Sequence, residues 1–240
     1  VPTDLAGRVA LVTGASQGIG SAIAAALVAE GMRVWMVARS RESLERLTAE
    51  AGRGATAYPV DLTDRQARHD LLEALMQAEG RLDVLVNNAG VIHLGSTEEA
   101  TEEQFAEQLA ANVLAPYTLT QACLPMLRAS RGEIVFVNSS AGKSANASMG
   151  QFSATQHAMR AVADALRAEV NADGVRVLVV YPGRTATPRQ AAMHEAESRQ
   201  YQPERLMQPS DVAEVIVCAL RLPRTAEATE ISLRPMLKTT

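Results

Sequence analysis

Gly14, Gly18 and Gly20 punctuate the stretch "VTGASQGIG", where an apolar run gives way to a helical pattern. Glycine lets the backbone turn tightly and approach a ligand closely. The N-terminus of the following helix offers unpaired N–H groups and the positive end of a dipole. The chemistry that suits this combination is phosphate binding, above all the pyrophosphate of a nucleotide. The spacing is TGxxxGxG rather than the general GxGxxG of dinucleotide sites, and glycine-rich turns also occur for purely structural reasons. The surrounding elements therefore decide what the turn is for.

Seven short runs rich in Val and Ile read as strands, at 8–13, 33–38, 55–60, 82–87, 133–138, 175–180 and 229–235. They are mostly continuous rather than alternating, as expected of a parallel sheet covered on both faces. Helical patterns lie between them near 18–30, 41–51, 64–79, 101–129, 150–172 and 209–221. Thr63 or Asp64 and Ser210 suit helix N-caps, and Gly31, Gly80 and Gly174 fall just past helix ends. This alternation predicts an α/β protein, one doubly wound Rossmann domain over 1–240 with a seven-stranded, mostly parallel sheet. The longest irregular stretch, 183–208, follows the sixth strand and is expected to be a lid or binding loop.

The 240 residues are 47% hydrophobic but only 3% aromatic, so Ala, Val and Leu must build the core. Twenty-three basic and 27 acidic residues give a net charge of −4 with no long block of either sign. That argues against nucleic acid and against anionic membrane surfaces as partners. The apolar runs are strand-sized, and "VPTDLAGRVALVTG" lacks the basic-then-apolar layout of a signal peptide. The expectation is a soluble, cytoplasmic protein in which Cys123 and Cys218 are small buried thiols.

Further blocks complete the pattern: "DLT" at 61–63, "NNAG" at 87–90, Asn112, "NSSAG" at 138–142 and "PGRTATP" at 182–188. With "TGASQGIG", their order and spacing resemble the short-chain dehydrogenase/reductase family over nearly the whole chain. The resemblance implies a nicotinamide nucleotide, with Asp61 at the adenine, Asn87 to Gly90 along the adenosine side and Thr187 at the nicotinamide carboxamide. The cofactor-binding set is then Gly14, Ser16, Gln17, Gly18, Ile19, Gly20, Arg39, Ser40, Asp61, Leu62, Asn88, Ala89, Gly90, Gln156, Pro182, Gly183, Thr185 and Thr187. Charge selects between the two nucleotides. Folds that bind NAD usually end the second strand with a carboxylate for the ribose 2′-OH. Here Ala38, Arg39, Ser40 and Arg41 precede the first acid, Glu42, and a guanidinium with a hydroxyl suits a 2′-phosphate. The expected cofactor is NADP(H).

By the same resemblance, a carbonyl or alcohol substrate would exchange a hydride with the cofactor and a proton with a tyrosine. A lysine four residues later would lower that tyrosine's pKa, a serine thirteen residues earlier would bind the substrate oxygen, and an asparagine would help hold a relay water. Ser139 and Asn112 match the serine and the asparagine. The tyrosine and lysine positions fall on Phe152 and Gln156, in "FSATQHA". Phe has no proton to give and Gln no positive charge, and a missing general acid typically costs about 10²–10⁴-fold in rate. Gln156 retains the capacity to hydrogen-bond ribose hydroxyls.

Other groups could carry the proton: His157 beside Gln156, Tyr181 before "PG", His93 after "NNAG", or Ser139 through a relayed water. The reading is an oxidoreductase with severely reduced activity on a small carbonyl or alcohol. A non-catalytic NADP(H)-binding sensor and a non-redox lyase or isomerase remain the alternatives, because fold does not dictate function. The resemblance also implies a homodimer or homotetramer built through helices 101–129 and 150–172.

Overall fold

The computed structural model describes residues 3–196 and 199–237. Strands β1 (Val9–Thr13), β2 (Arg33–Ala38), β3 (Ala55–Pro59), β4 (Val84–Asn87), β5 (Glu133–Val137), β6 (Arg176–Pro182) and β7 (Glu230–Leu233) form one sheet. Its order is β3-β2-β1-β4-β5-β6-β7, and every neighbouring pair is parallel. The chain runs outward from β1 to β3, then returns to the other side of β1 as β4. The strand order thus reverses at β1 and β4, where open α/β sheets form their ligand crevice.

Helices α1 (Gly18–Ala29), α2 (Arg41–Ala51) and α8 (Pro209–Leu220) cover one face. Ile23, Leu27, Leu44, Ile216 and Leu220 pack there on Ala10, Val12, Val34 and Met36. Helices α3 (Arg65–Glu79), α5 (Ala115–Ser130) and α6 (Gly150–Val170) cover the other, burying Leu71, Leu75, Cys123, Leu127 and Ala163 against Val9, Leu11, Trp35 and Val177. Successive strand residues therefore enter different cores, which is why these strands read as unbroken apolar runs.

Several expectations change. The single helix foreseen over 101–129 is three pieces: α4 (Glu102–Leu109), a π-helical turn (Ala110–Leu114) and α5. The widened turn carries Asn112, and such turns often mark functional positions. The 183–208 stretch is not without secondary structure. It contains α7 (Pro188–Ala196), and a bridge between Thr185 and Met207 ties its two ends together; residues 197 and 198 lie outside the described residues. Asp64, not Thr63, caps α3, its carboxylate accepting from the N–H groups of Gln66 (2.7 Å) and Ala67 (3.2 Å). Gln208, not Ser210, caps α8, because Pro209 takes the first helical position, where a missing N–H costs no hydrogen bond. Cys123 is buried and burial pushes its thiol up to about 12, but Cys218 is exposed on the outer side of α8.

Asp64→Ala removes the acceptor for two otherwise unpaired N–H groups. It should lower the unfolding free energy by about 1 kcal/mol, read from urea denaturation curves with an unchanged slope.

Candidate functional site

A cleft of about 1300 Å³ opens along the C-terminal ends of the strands. One hydroxyl organises its centre. Thr13, the last residue of β1, accepts at Oγ1 from the backbone N–H of Asn88 (2.9 Å) and Ala89 (3.0 Å) and donates to the Val86 carbonyl (3.2 Å). Asn88 answers by donating from Nδ2 to the carbonyls of Thr13 (3.0 Å) and Gly14 (3.2 Å). The first turn and "NNAG" are thereby locked against each other. Gly14 takes φ +65°, and a Cβ there would come within 2.9 Å of the Ala89 Cα. A Cβ on Gly20 would run into the Gly14 carbonyl. Close backbone approach accounts for both glycines.

The N-terminus of α1 opens into this cradle. Its N-cap, Gln17, makes no side-chain capping bond, and its first turn carries no acid. Those N–H groups are available to an anionic ligand, as a pyrophosphate requires. Arg39 and Ser40 line the same cleft beyond β2, with Asp61 and Leu62 beside them. Ser40 also caps α2, accepting from the Ser43 N–H at 3.3 Å. Asp61 accepts from the Thr63 N–H (2.9 Å) and hydroxyl (2.7 Å), bonds that hold its carboxyl below the usual range, with a smaller contribution from Arg39. The cradle fits a dinucleotide.

Of the predicted site residues, Gly14, Ser16, Gln17, Gly18, Ile19, Arg39, Ser40, Asp61, Leu62, Asn88, Ala89, Gly90, Ser139, Phe152, Pro182, Gly183, Thr185 and Thr187 all line the cleft. Gly20, Asn112 and Gln156 stand behind its wall. Asn112 is buried, accepting from the Val91 N–H (2.8 Å) and donating to the Val91 carbonyl (2.9 Å), so it holds the backbone just after "NNAG". It also donates to Thr155 Oγ1 (3.2 Å), as Gln156 does (3.3 Å), while that hydroxyl donates to the Phe152 carbonyl (2.8 Å). The Gln156 amide is thus folded back onto its own helix. Phe152, only 8% exposed, contributes a hydrocarbon surface to the cleft.

Two of the suggested proton carriers lie elsewhere. Tyr181 is buried away from the cleft, with its hydroxyl on Glu230 (3.2 Å) and Lys143 over its ring. Burial, then Glu230, pushes its phenol up to about 12. His157 is bonded through Nδ1 to the Ser153 carbonyl (2.9 Å) within α6. His93 lines the cleft, and its Nε2 lies 2.8 Å from Glu107 Oε2. Glu107 and Gln104 from α4, with Arg184 and Arg189 after β6, also line it. Sequence reasoning missed Gln104 and Glu107, because their meeting with the cleft is tertiary and no local spacing announces it; Arg184 and Arg189 lie in the 183–208 stretch expected to be a binding loop, but neither side chain was singled out. Arg189 donates from Nη2 to the Gly90 carbonyl (2.6 Å), joining the α7 wall to "NNAG".

Residues 8–198 match the short chain dehydrogenase family. The chain belongs to that family. Among its relatives is a protein named glycine betaine reductase ATRR, from Emericella nidulans, 33% identical over 96% of this chain. This chain spans only 19% of that protein's length. Among solved structures, a variant of actinorhodin polyketide ketoreductase with NADPH superposes with a TM-score of 0.87 at 32% identity, over 95% of both chains. A 3-ketoacyl-(acyl-carrier-protein) reductase from Brucella melitensis, complexed with NADH, gives the same TM-score at 26% identity over 95% of this chain and 97% of that one. The short-chain dehydrogenase fold accommodates either nucleotide, so cofactor choice rests on the residues of each cleft. Among the described residues, no helix is long and apolar enough to cross a membrane.

Thr13→Val keeps the shape of the side chain but removes the acceptor for two backbone N–H groups. Thermal and chemical denaturation should show a loss of about 1–3 kcal/mol. Nucleotide affinity should fall with it, because "NNAG" loses its anchor.

Proposed function

We propose that this short-chain dehydrogenase is an NADP(H)-dependent oxidoreductase acting slowly on a small carbonyl or alcohol. The observation that carries the reading is an intact dinucleotide cradle beside a cleft wall made of Phe152. When bound, the nicotinamide nucleotide supplies or accepts a hydride. Gly14, Gly18 and the first turn of α1 hold its pyrophosphate. Arg39 pairs with the 2′-phosphate, and a carboxylate that would repel that phosphate is missing at the end of β2. Thr187 and the backbone of Thr185 orient the nicotinamide end, and Ser139 donates a hydrogen bond to the substrate oxygen. Asn112 positions the Val91 backbone from behind.

The weak link is the proton. Phe152 and Gln156 occupy the places that the family resemblance gives to a tyrosine and a lysine. The Phe152 ring excludes water from the site without exchanging a proton. Slow turnover follows from that one deficit, with binding left whole.

Titration calorimetry should show NADPH binding more tightly than NADH, and Arg39→Ala should weaken NADPH chiefly. Losing one charge-assisted phosphate contact corresponds to about 1.5–3 kcal/mol, roughly ten- to a hundredfold in Kd. Equal affinities in the unmodified chain would refute the phosphate role of Arg39.

Phe152→Tyr should raise the rate of NADPH oxidation with ketones and aldehydes only in part, because a phenol near its ordinary pKa of ~10 is a poor acid without a cation nearby. Adding Gln156→Lys should raise it by more than the two single changes multiplied together, as expected of a coupled pair. No turnover by either the unmodified chain or the double variant, with NADPH still bound, would favour a sensor or non-redox role.

A further inference from the structure

The cleft holds one group suited to exchanging protons near neutral pH. Of the chain's four histidines, only His93 lines it. The other charged groups on the same wall are Glu107 on α4, Arg184 and Arg189 after β6, and Arg39 and Asp61 at the adenosine end. An arginine is a poor proton donor because it stays charged. Asp61 is occupied by Thr63 and ionised.

His93 is held as a catalytic imidazole needs to be held. Nε2–H faces the Glu107 carboxylate, which accepts a hydrogen bond from it and fixes the ring's orientation, leaving Nδ1 without a protein partner among the described residues. The side chain is 31% exposed, open to the cleft rather than sealed in the core. Its backbone is fixed as well. The His93 N–H donates to Oε1 of Gln108 (3.2 Å), a fully buried side chain that donates in turn to Gln151 (3.2 Å). The Gly95 N–H donates to the Ser148 carbonyl (2.9 Å). Both ties end just before Phe152, so the His93 loop is fastened to the start of α6, the helix that lacks its acid.

We propose that His93, oriented by Glu107, is the acid–base residue of this enzyme in place of Phe152. The proposal rests on the oxidoreductase reading above. In reduction, a hydride from the reduced nicotinamide nucleotide forms the new C–H bond, and the π pair of the carbonyl becomes the O–H bond. The proton of that bond comes from Nδ1 of imidazolium His93. The histidine is left neutral and the nucleotide oxidised, and a proton from solvent restores the imidazolium. Glu107 acts through His93 and is a positioning residue. His93 is a shared-wall donor rather than a copy of a tyrosine, so its rate falls short of the restored Phe152→Tyr, Gln156→Lys pair.

The test uses the full chain with NADPH and 2,3-butanedione, followed from pH 5 to 9. Unmodified protein should turn over, and its rate should decline as pH rises. The sign follows from the acid being the protonated form. His93→Gln should lose about tenfold or more of the rate, together with the pH dependence. It should keep its NADPH affinity by calorimetry, which shows that the fold and cofactor site survive. Free imidazole should restore turnover to His93→Gly, a rescue that a merely structural role would not give. A readout independent of turnover is the ring spectrum of the histidines. Isobutyramide, an amide carbonyl that hydride does not reduce, should move the His93 resonances and not those of His157. Equal rates in His93→Gln and unmodified protein, no turnover by the unmodified chain, failed imidazole rescue or unmoved His93 resonances would each overturn the proposal. Absence of NADPH binding in the unmodified chain would instead remove the oxidoreductase reading beneath it.

Discussion

The hydroxyl of Thr13 is the point on which the cleft depends. Sheet order forces β1 and β4 to be neighbours while the chain leaves them in opposite directions, so a gap opens beyond their ends. Backbone at the mouth of such a gap has lost its ladder partners, and unpaired N–H groups near the core are costly. Thr13 satisfies two of them, and Asn88 returns two bonds to the first turn. The glycines follow from that clamp. With "NNAG" drawn against the first turn, a side chain at Gly14 would meet Ala89, and one at Gly20 would meet the Gly14 carbonyl.

Binding and proton transfer are built from different parts of the chain. The cradle is backbone from the ends of β1 and β4, fixed by hydrogen bonds that do not involve α6. The family's acid position lies on one face of α6, outside the Thr13–Asn88 clamp. Phe152 packs as an ordinary buried ring, and Gln156 shares the Thr155 hydroxyl with Asn112. That knot is neutral and hydrogen-bonded, which a buried ammonium could match only with a charged or strongly polar partner. Loss of the acid is therefore compatible with an undisturbed fold, and a replacement acid is free to arise anywhere else on the cleft wall.

Legibility followed the range of the interaction. The seven strands were readable because their pattern is local: with both faces covered, the central strands are mostly apolar along their length. The glycine turn and the lining residues from Gly14 to Thr187 were readable because motif spacing places them. The π turn was not, since its sequence, "AANVL", has no local break; Asn112 is held by Val91 and Thr155, both distant along the chain. Helix α7 was missed because "PRQAAMHEA" lies in a polar stretch whose two ends are tied by a pairing of Thr185 with Met207. Ser210 looked like a cap until Pro209 fixed the start of α8 two residues earlier. The His93 and Glu107 contact joins a loop to a helix, and no spacing rule covers it.

Strand parity decides where a substitute acid can arise. Along β6, Val177, Val179 and Tyr181 belong to the core under α3, α5 and α6, while Leu178 and Val180 belong to the opposite one. Tyr181 is therefore committed to the α6 side, where Glu230 accepts its hydroxyl and Arg160 and Lys143 neutralise that carboxylate. Moving its phenol into the cleft would require a one-residue slip, which would turn every residue of β6 to the wrong core. Loops beyond the strand ends have no such parity. The His93 loop is one of these, and it is tied by Gln108 and Gly95 to the start of α6. A fold this constrained in its sheet leaves chemical variation to its rim.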